Sequence, residues 1–169
     1  MKSFIINSKR HGLFKILVDD EDFENVMMHK WHIHRGPKDT TWYVHGTPRF
    51  NGGYVKLHRF LMSVKDAKIK VDHIDGDGLN NQRSTNLRLA SCYQNSANSR
   101  VHKDNLTGFK GVSFEKIIGK YWARIMRKGT AYNLGYFNTP EEASKVYEAK
   151  AKELSGKFYR KGTASEKEK

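Results

Sequence analysis

Residues 71–100, VDHIDGDGLNNQRSTNLRLASCYQNSANSR, decide how this chain is read. From residue 68 to residue 74, KIKVDHI, apolar and polar residues alternate as in a half-buried strand. A turn-rich stretch follows, with Gly76, Gly78, Asn80 and Asn81 as turn formers. Residues 87–90, LRLA, return as a second strand, and Ser91 is placed to cap a helix running to about residue 100. Asp72 and His73 then stand at a strand end, Asn86 just before the returning strand, and Asn95 on the helix. Neighbouring strand residues point to opposite faces. Asp72 and His73 can therefore act on one group only if the strand twists or ends there, which the adjacent Asp75-Gly76-Asp77-Gly78 permits.

On the N-terminal side, residues 4–7 and 13–18 read as strands around a turn at 8–12. Residues 19–30 read as a helix, with acids in its first turn and Phe23, Val26 and Met27 on one face. Extended runs are expected at 31–35, 41–45 and 54–57, and one or two helical turns at 58–62. On the C-terminal side, 101–107 is polar and reads as a linker. Residues 111–115, 120–128 and 130–137 form three strand candidates, with Gly119 and Gly129 at short turns, which implies an antiparallel meander. Thr139 caps a following helix with Pro140 at its first position and Glu141 and Glu142 in its first turn. Ala143, Val146, Tyr147, Ala149, Lys150 and Leu154 give that helix an apolar stripe, and Gly156 ends it.

The 169 residues carry a net charge of +13, which calls for a polyanionic partner. Residues 1–100 hold 16 Lys/Arg against 10 Asp/Glu, and residues 101–169 hold 15 against 8, so both halves are basic. At 37% hydrophobic and 12% aromatic residues, the chain is too apolar for a disordered basic tail. No apolar run approaches the ~18 residues of a membrane span, and the first residues lack the apolar stretch of a secretory signal. A single cysteine, Cys92, excludes an intrachain disulfide and a multi-cysteine zinc site, and is expected to be a small buried hydrophobe. An intracellular protein is expected.

The central segment resembles the HNH endonucleases, the ββα-metal nucleases, and especially their phage and homing type. Asp72-His73, Asn86-Leu87 and Gln94-Asn95 stand in that family's positions, and Leu57-His58-Arg59-Phe60-Leu61-Met62 matches the lead-in of the subgroup. The resemblance implies hydrolysis of a DNA phosphodiester. Such chemistry needs an activated water, charge stabilisation at phosphorus and help for the leaving oxygen. By resemblance, Asp72 and Asn95 hold a divalent ion, Mg²⁺ or Mn²⁺, and His73 is the general base. Asn86 clamps the loop. The donor types agree: a hard carboxylate and a neutral amide oxygen suit Mg²⁺, and a histidine near pKa ~6.5 accepts a proton near neutrality. Asn98 shares a helix face with Asn95 and is the alternative ligand; Asn95 is preferred for its distance from Asn86. Asp75 and Asp77 lack the bidentate Glu of a calcium loop and read as turn residues. His58 either touches phosphate or packs. His29, His32 and His34 read as packing or surface residues.

Residues 108–158 resemble the AP2 DNA-binding domain, three antiparallel strands on one helix. The resemblance is carried by Gly108-Phe109-Lys110-Gly111-Val112, by residues 119–125 (GKYWARI), by residues 134–139 (LGYFNT), and by Pro140-Glu141-Glu142-Ala143 with Tyr147. Period-two counting turns Val112, Phe114, Tyr121, Ala123, Ile125, Tyr132 and Leu134 to the helix. Ser113, Glu115, Trp122, Arg124, Met126, Lys128, Ala131 and Asn133 face outward. Arg124 matches guanine and Asn133 adenine in a major groove, while Lys110, Lys116, Lys120 and Lys128 suit phosphates. Plant members carry more arginines on this face than Ser113, Met126 and Ala131 supply here.

The expected architecture is α+β: a lead segment (1–54), a ββα-metal core (55–100), a linker (101–107), an AP2-like module (108–160) and a frayed tail (161–169). Lys9, Arg10, Lys15, Arg35, Lys38 and Arg49 of the lead segment either extend the DNA footprint or pack beside the core. The expected protein is a monomer on double-stranded DNA, in the cytoplasm of a phage-infected bacterium. It needs no small-molecule cofactor and no membrane, and one such site nicks a single strand. The alternatives are a DNA-binding regulator with an unused nuclease centre and a less specific phage nuclease.

Overall fold

A computed structural model describes all residues except 38, 40, 51, 52, 103 and 162–169, with the backbone alone at 48–50. The tail expected to fray therefore lies outside the described residues from 162 onward, as do Lys38 and the Arg49 side chain. The chain divides into two compact units, Met1–Cys92 and Tyr93–Lys169.

In the first unit, β1 (Lys2–Ser8) and β2 (Gly12–Val18) form an antiparallel hairpin. A 3₁₀ turn at Asp20–Asp22 leads into α1 (Phe23–Met27). This helix is shorter than expected, and Met27 is half exposed rather than packed. The strands β3 (Trp31–His34), β4 (Tyr43–Phe50) and β5 (Gly53–Lys56) make a second antiparallel sheet with β4 in the centre. A short helix, α2 (Leu57–Leu61), then precedes the hairpin of β6 (Lys70–His73) and β7 (Leu87–Ala90). Ile16, Val18, Val26 and Val44 pack with Leu57, Leu61, Val71 and Leu87 in one core. The boundary expected after residue 54 thus runs through a continuous hydrophobic cluster.

That core lets the N-terminal hairpin hold the loop at 74–86. Leu17 donates its N–H to the Leu79 carbonyl at 3.0 Å and accepts from the Asn81 N–H at 2.8 Å. Asp19 accepts from the Ser84 N–H (2.7 Å) and hydroxyl (3.0 Å). Arg83 donates to Asp22 and Glu21. The acids read as helix-dipole partners thus also anchor this loop, although Asp19, Glu21 and Asp22 bring carboxylate oxygens within 4.8 Å of one another. Gly78 is required by close approach: a Cβ there would lie 2.2 Å from the Trp42 carbonyl oxygen.

In the second unit, β8 (Val112–Glu115), β9 (Lys120–Arg127) and β10 (Thr130–Phe137) form an antiparallel sheet with β9 central, in the three positions expected. The two-residue turn between β9 and β10 is Lys128-Gly129, both at positive φ, which is the primed turn that matches strand twist. The last helix, α4 (Pro140–Ser155), begins with a Thr139–Glu142 capping box. Val112, Ala123 and Ala143 form the core between sheet and helix, with Tyr121, Leu134 and Tyr147 packed on it. Two residues expected on that face depart: Phe114 is half exposed beside Tyr121, and Val146 is 38% exposed.

The helix expected from Ser91 to residue 100 is α3 (Cys92–Ala97). Cys92 is exposed, not buried. Of the residues read as a linker, Val101 is buried, and Asn105 and Thr107 bond the backbone of Gly108, Phe109 and Val112 within the second unit. Truncating a fully buried core side chain removes apolar burial and leaves a cavity. Leu57→Ala is expected to lower the unfolding free energy by ~2–5 kcal/mol, read from the urea midpoint.

Candidate functional site

Strand β6 carries Val71, Asp72 and His73, all buried. Register places Asp72 opposite Arg88 and His73 opposite Leu87. Asp72 meets Arg88 directly: Nε at 2.8 Å and Nη2 at 2.7 Å converge on its Oδ2. Desolvating these two charges is compensated only while they stay paired.

His73 has different partners. Its Nε2 lies 3.4 Å from Oδ1 of Asn81, which is fully buried. The Asn81 amide is oriented by donation from its Nδ2 to the Gly78 carbonyl at 3.1 Å. An acceptor therefore faces Nε2, an arrangement that favours the tautomer with its proton there. His58, also buried, meets the His73 ring edge-on at 4.9 Å, with Tyr43 at 6.0 Å. Burial lowers the pKa of His73, opposed by the Asn81 bond and by Asp75 and Asp72. Burial and then His73 push His58 lower still. The open question of His58 resolves to packing against His73. Asn81, read only as a turn former, is the residue that sequence reasoning missed; nothing local distinguishes it from Asn80.

Asn86 ties the loop to the strand ends. Its Oδ1 accepts from the Asp75 N–H at 3.0 Å, and its Nδ2 donates to Asp75 Oδ1 (3.0 Å) and to the Asn80 carbonyl (2.7 Å). Asp75 also accepts from the Asp77 N–H and from Asn80 Nδ2. These bonds make Asp75 and Asp77 turn residues in fact.

The remaining candidates lie in the second unit. Asn95 is exposed on α3, whereas Asn98 is buried. On the outward sheet face, Trp122 stacks near-parallel on Tyr136 at 6.0 Å, and the Arg124 guanidinium lies 4.8 Å from the Trp122 ring. Tyr136 joins this face because a register shift between Asn133 and Gly135 changes the alternation that period-two counting assumes. Asn133 Oδ1 accepts from Trp122 Nε1 at 2.7 Å and from the Gly135 N–H at 3.2 Å. Pairing with adenine needs that oxygen as an acceptor, so in this arrangement Asn133 offers only its amide donors. Lys120 and Lys128 are exposed. Lys110, expected to suit a phosphate, donates its ammonium to the Ala97 (3.2 Å) and Arg160 (2.8 Å) carbonyls.

The chain is 35% identical over 144 residues to a protein of Acanthamoeba polyphaga mimivirus named as an uncharacterized HNH endonuclease, covering 80% of this chain and 72% of that one. It is 34% identical over 90 residues to Protein 3.8 of Escherichia phage T7, covering 53% of this chain and 73% of that one. No family profile matches, and no solved structure matches. The chain belongs to the HNH endonuclease family.

The buried histidines also set how the first unit responds to acid. On the β3–β4 face, His45 stacks on His34 at 4.4 Å and lies 6.0 Å from His32. Burial, with His34 and Lys56, lowers the His45 pKa to about 4. The folded pKa lies below the unfolded one, so the unfolded chain binds protons first as pH falls. The contribution of His45 to stability is complete above pH ~6.5 and is lost as pH falls toward about 4, with His58 acting in the same direction. The urea midpoint is expected to be lower at pH 5 than at pH 7.5; an equal or higher midpoint at pH 5 contradicts this account.

Proposed function

We propose that this chain is a metal-dependent, site-preferring DNA endonuclease of the homing type that nicks one strand of double-stranded DNA. The observation that carries the reading is the buried His73, kept neutral and committed through Nε2 to Asn81, beside a buried carboxylate. A neutral imidazole with Nδ1 basic is the form a general base requires. In this reading Nδ1 takes a proton from the attacking water, while Asn81 and Asn86 keep the ring and its loop in place.

The resemblance implies that Asp72, in the first unit, and Asn95, in the second, would hold a divalent ion, a carboxylate and an amide oxygen being the hard donors that Mg²⁺ and Mn²⁺ take. Such an ion supplies charge neutralisation at the phosphoryl oxygens and the leaving group. Arg88 already engages Oδ2 of Asp72, so a cation there shares the carboxylate with a guanidinium. In the second unit, the AP2-like reading assigns DNA contact to the outward face. Arg124 and Trp122 meet bases, Lys120 and Lys128 meet phosphates, and Lys110 is withdrawn from that list. The protein works as a monomer, in the cytoplasm of an infected cell. No described helix is long and apolar enough to cross a membrane.

The test is nicking of supercoiled plasmid beside equilibrium DNA binding without metal. Cleavage is expected with Mg²⁺ or Mn²⁺ and not with EDTA, and severe loss is expected in Asp72→Ala. His73→Ala is expected to slow cleavage ~10²–10⁴-fold with affinity nearly unchanged. Full-rate cleavage in EDTA, or an unaffected His73→Ala, refutes the mechanism. Tight binding with no cleavage by the wild type would instead establish the regulator.

Arg88 gives an independent check. Removing its charge relieves repulsion between a guanidinium and a cation on one carboxylate. Arg88→Gln is expected to lower the Mg²⁺ concentration giving half-maximal cleavage. A higher requirement would place the cation elsewhere.

A further inference from the structure

The β8–β9 hairpin of the second unit turns through residues 116–119, KIIG. The Gly119 N–H closes the turn on the Glu115 carbonyl at 2.8 Å, with Gly119 at φ 69°. A Cβ on Gly119 would meet nothing within 4 Å, so the tip stands in open space. Ile117 is 94% exposed there, and Ile118 48%.

Single exposed apolar side chains are ordinary. This pair differs in two respects. Tight turns favour Gly, Asn, Asp and Ser, so two adjacent β-branched residues contribute nothing to the turn itself. The other hairpin of the same sheet turns on Lys128-Gly129. The pair also has a cationic frame. Lys116 and Lys120 on either side are exposed, and among the described residues neither has an ion pair. The acid in register with Lys120, Glu115, turns its Oε1 to the Ile117 N–H at 3.5 Å. Lys120 also begins the outward row of β9 that continues through Trp122 and Arg124, so the tip extends the face that the proposed function gives to DNA.

A duplex presents the complementary pattern, an apolar stack of bases between two rails of phosphates. An anionic membrane also pairs charge with hydrocarbon, but two isoleucines are a small anchor where even one acyl chain binds marginally. We propose that the Ile117-Ile118 tip is a wedge that enters the base stack of bound DNA, with Lys116 and Lys120 on the flanking phosphates. Apolar wedges of this kind unstack a step and kink the duplex by roughly 20–90°. The proposal rests on the DNA-binding part of the function proposed above and not on cleavage. It gives site preference a source besides base contacts, because pyrimidine–purine steps are the most easily unstacked.

The test uses the full chain in EDTA, at saturating protein, on a duplex that the wild type selects from a random-sequence pool. Circularly permuted fragments read the bend, and 2-aminopurine placed at successive adenines reads local unstacking. The wild type is expected to bend the duplex within that range and to raise 2-aminopurine fluorescence at one step. The double variant Ile117→Ser, Ile118→Ser is expected to keep the urea midpoint and to leave the bound duplex straight, without the fluorescence rise. Ile117→Leu is expected to retain both signals. A straight duplex in the wild-type complex overturns the proposal, as does a bend that persists in the double variant. A lowered urea midpoint in the double variant also overturns it, because the tip then packs on the chain itself. Should the bend persist, loss of self-association or of binding to phosphatidylserine vesicles in the double variant would identify the occupant the tip takes instead. The nuclease reading fails separately: with Mg²⁺ the wild type would bend the selected duplex and not cleave it.

Discussion

The first unit depends on keeping the buried polar groups at His73, Asn81 and Asn86 paired. His73 can stay neutral and immobile away from water only if each group around it has a partner, since an unpaired buried group costs about 1–3 kcal/mol. Leu17, Asp19 and Asn86 supply those bonds to residues 75–86 from three directions. The β1–β2 hairpin, which offers no chemistry of its own in the sequence, is therefore the backing plate of the centre. Its Ile16 and Val18 lie in the same core as Val71 and Leu87 of the β6–β7 hairpin.

Most of the strands were legible because alternation and glycine turns are local signals. The β9–β10 hairpin, the Thr139 cap and the 87–90 strand all lie where those signals put them. What could not be read was decided by distant contacts. Whether residues 93–107 belong with what precedes or follows them depends on Val101 finding a core and on Lys110 reaching the Ala97 carbonyl. Neither contact leaves a periodic trace. Phe114, Val146 and Met27 fit their patterns but remain 38–50% exposed, because periodicity marks a face and not how far the partner covers it.

The candidate site divides in the same way. Asp72, His73 and Asn86 are conspicuous because an Asp-His pair before an Asn-rich loop is unusual. Asn81 is not, because a turn-forming asparagine and a buried acceptor look alike in sequence; only depth and the Gly78 contact separate them. On the sheet, Trp122 and Arg124 followed from counting, while Tyr136 depended on the register shift after Asn133. The same counting could not show that the Asn133 oxygen is already occupied.

The ion pair between Asp72 and Arg88 bears on how substrate arrives. A lone buried carboxylate presents a negative charge to an incoming phosphodiester, and the two repel. In the proposed nuclease reading, the guanidinium on Oδ2 leaves Asp72 close to neutralised before any cation binds. Nucleic acid then meets no electrostatic barrier there before a cation is present. In that reading, docking of a phosphodiester does not depend on a cation having been loaded first.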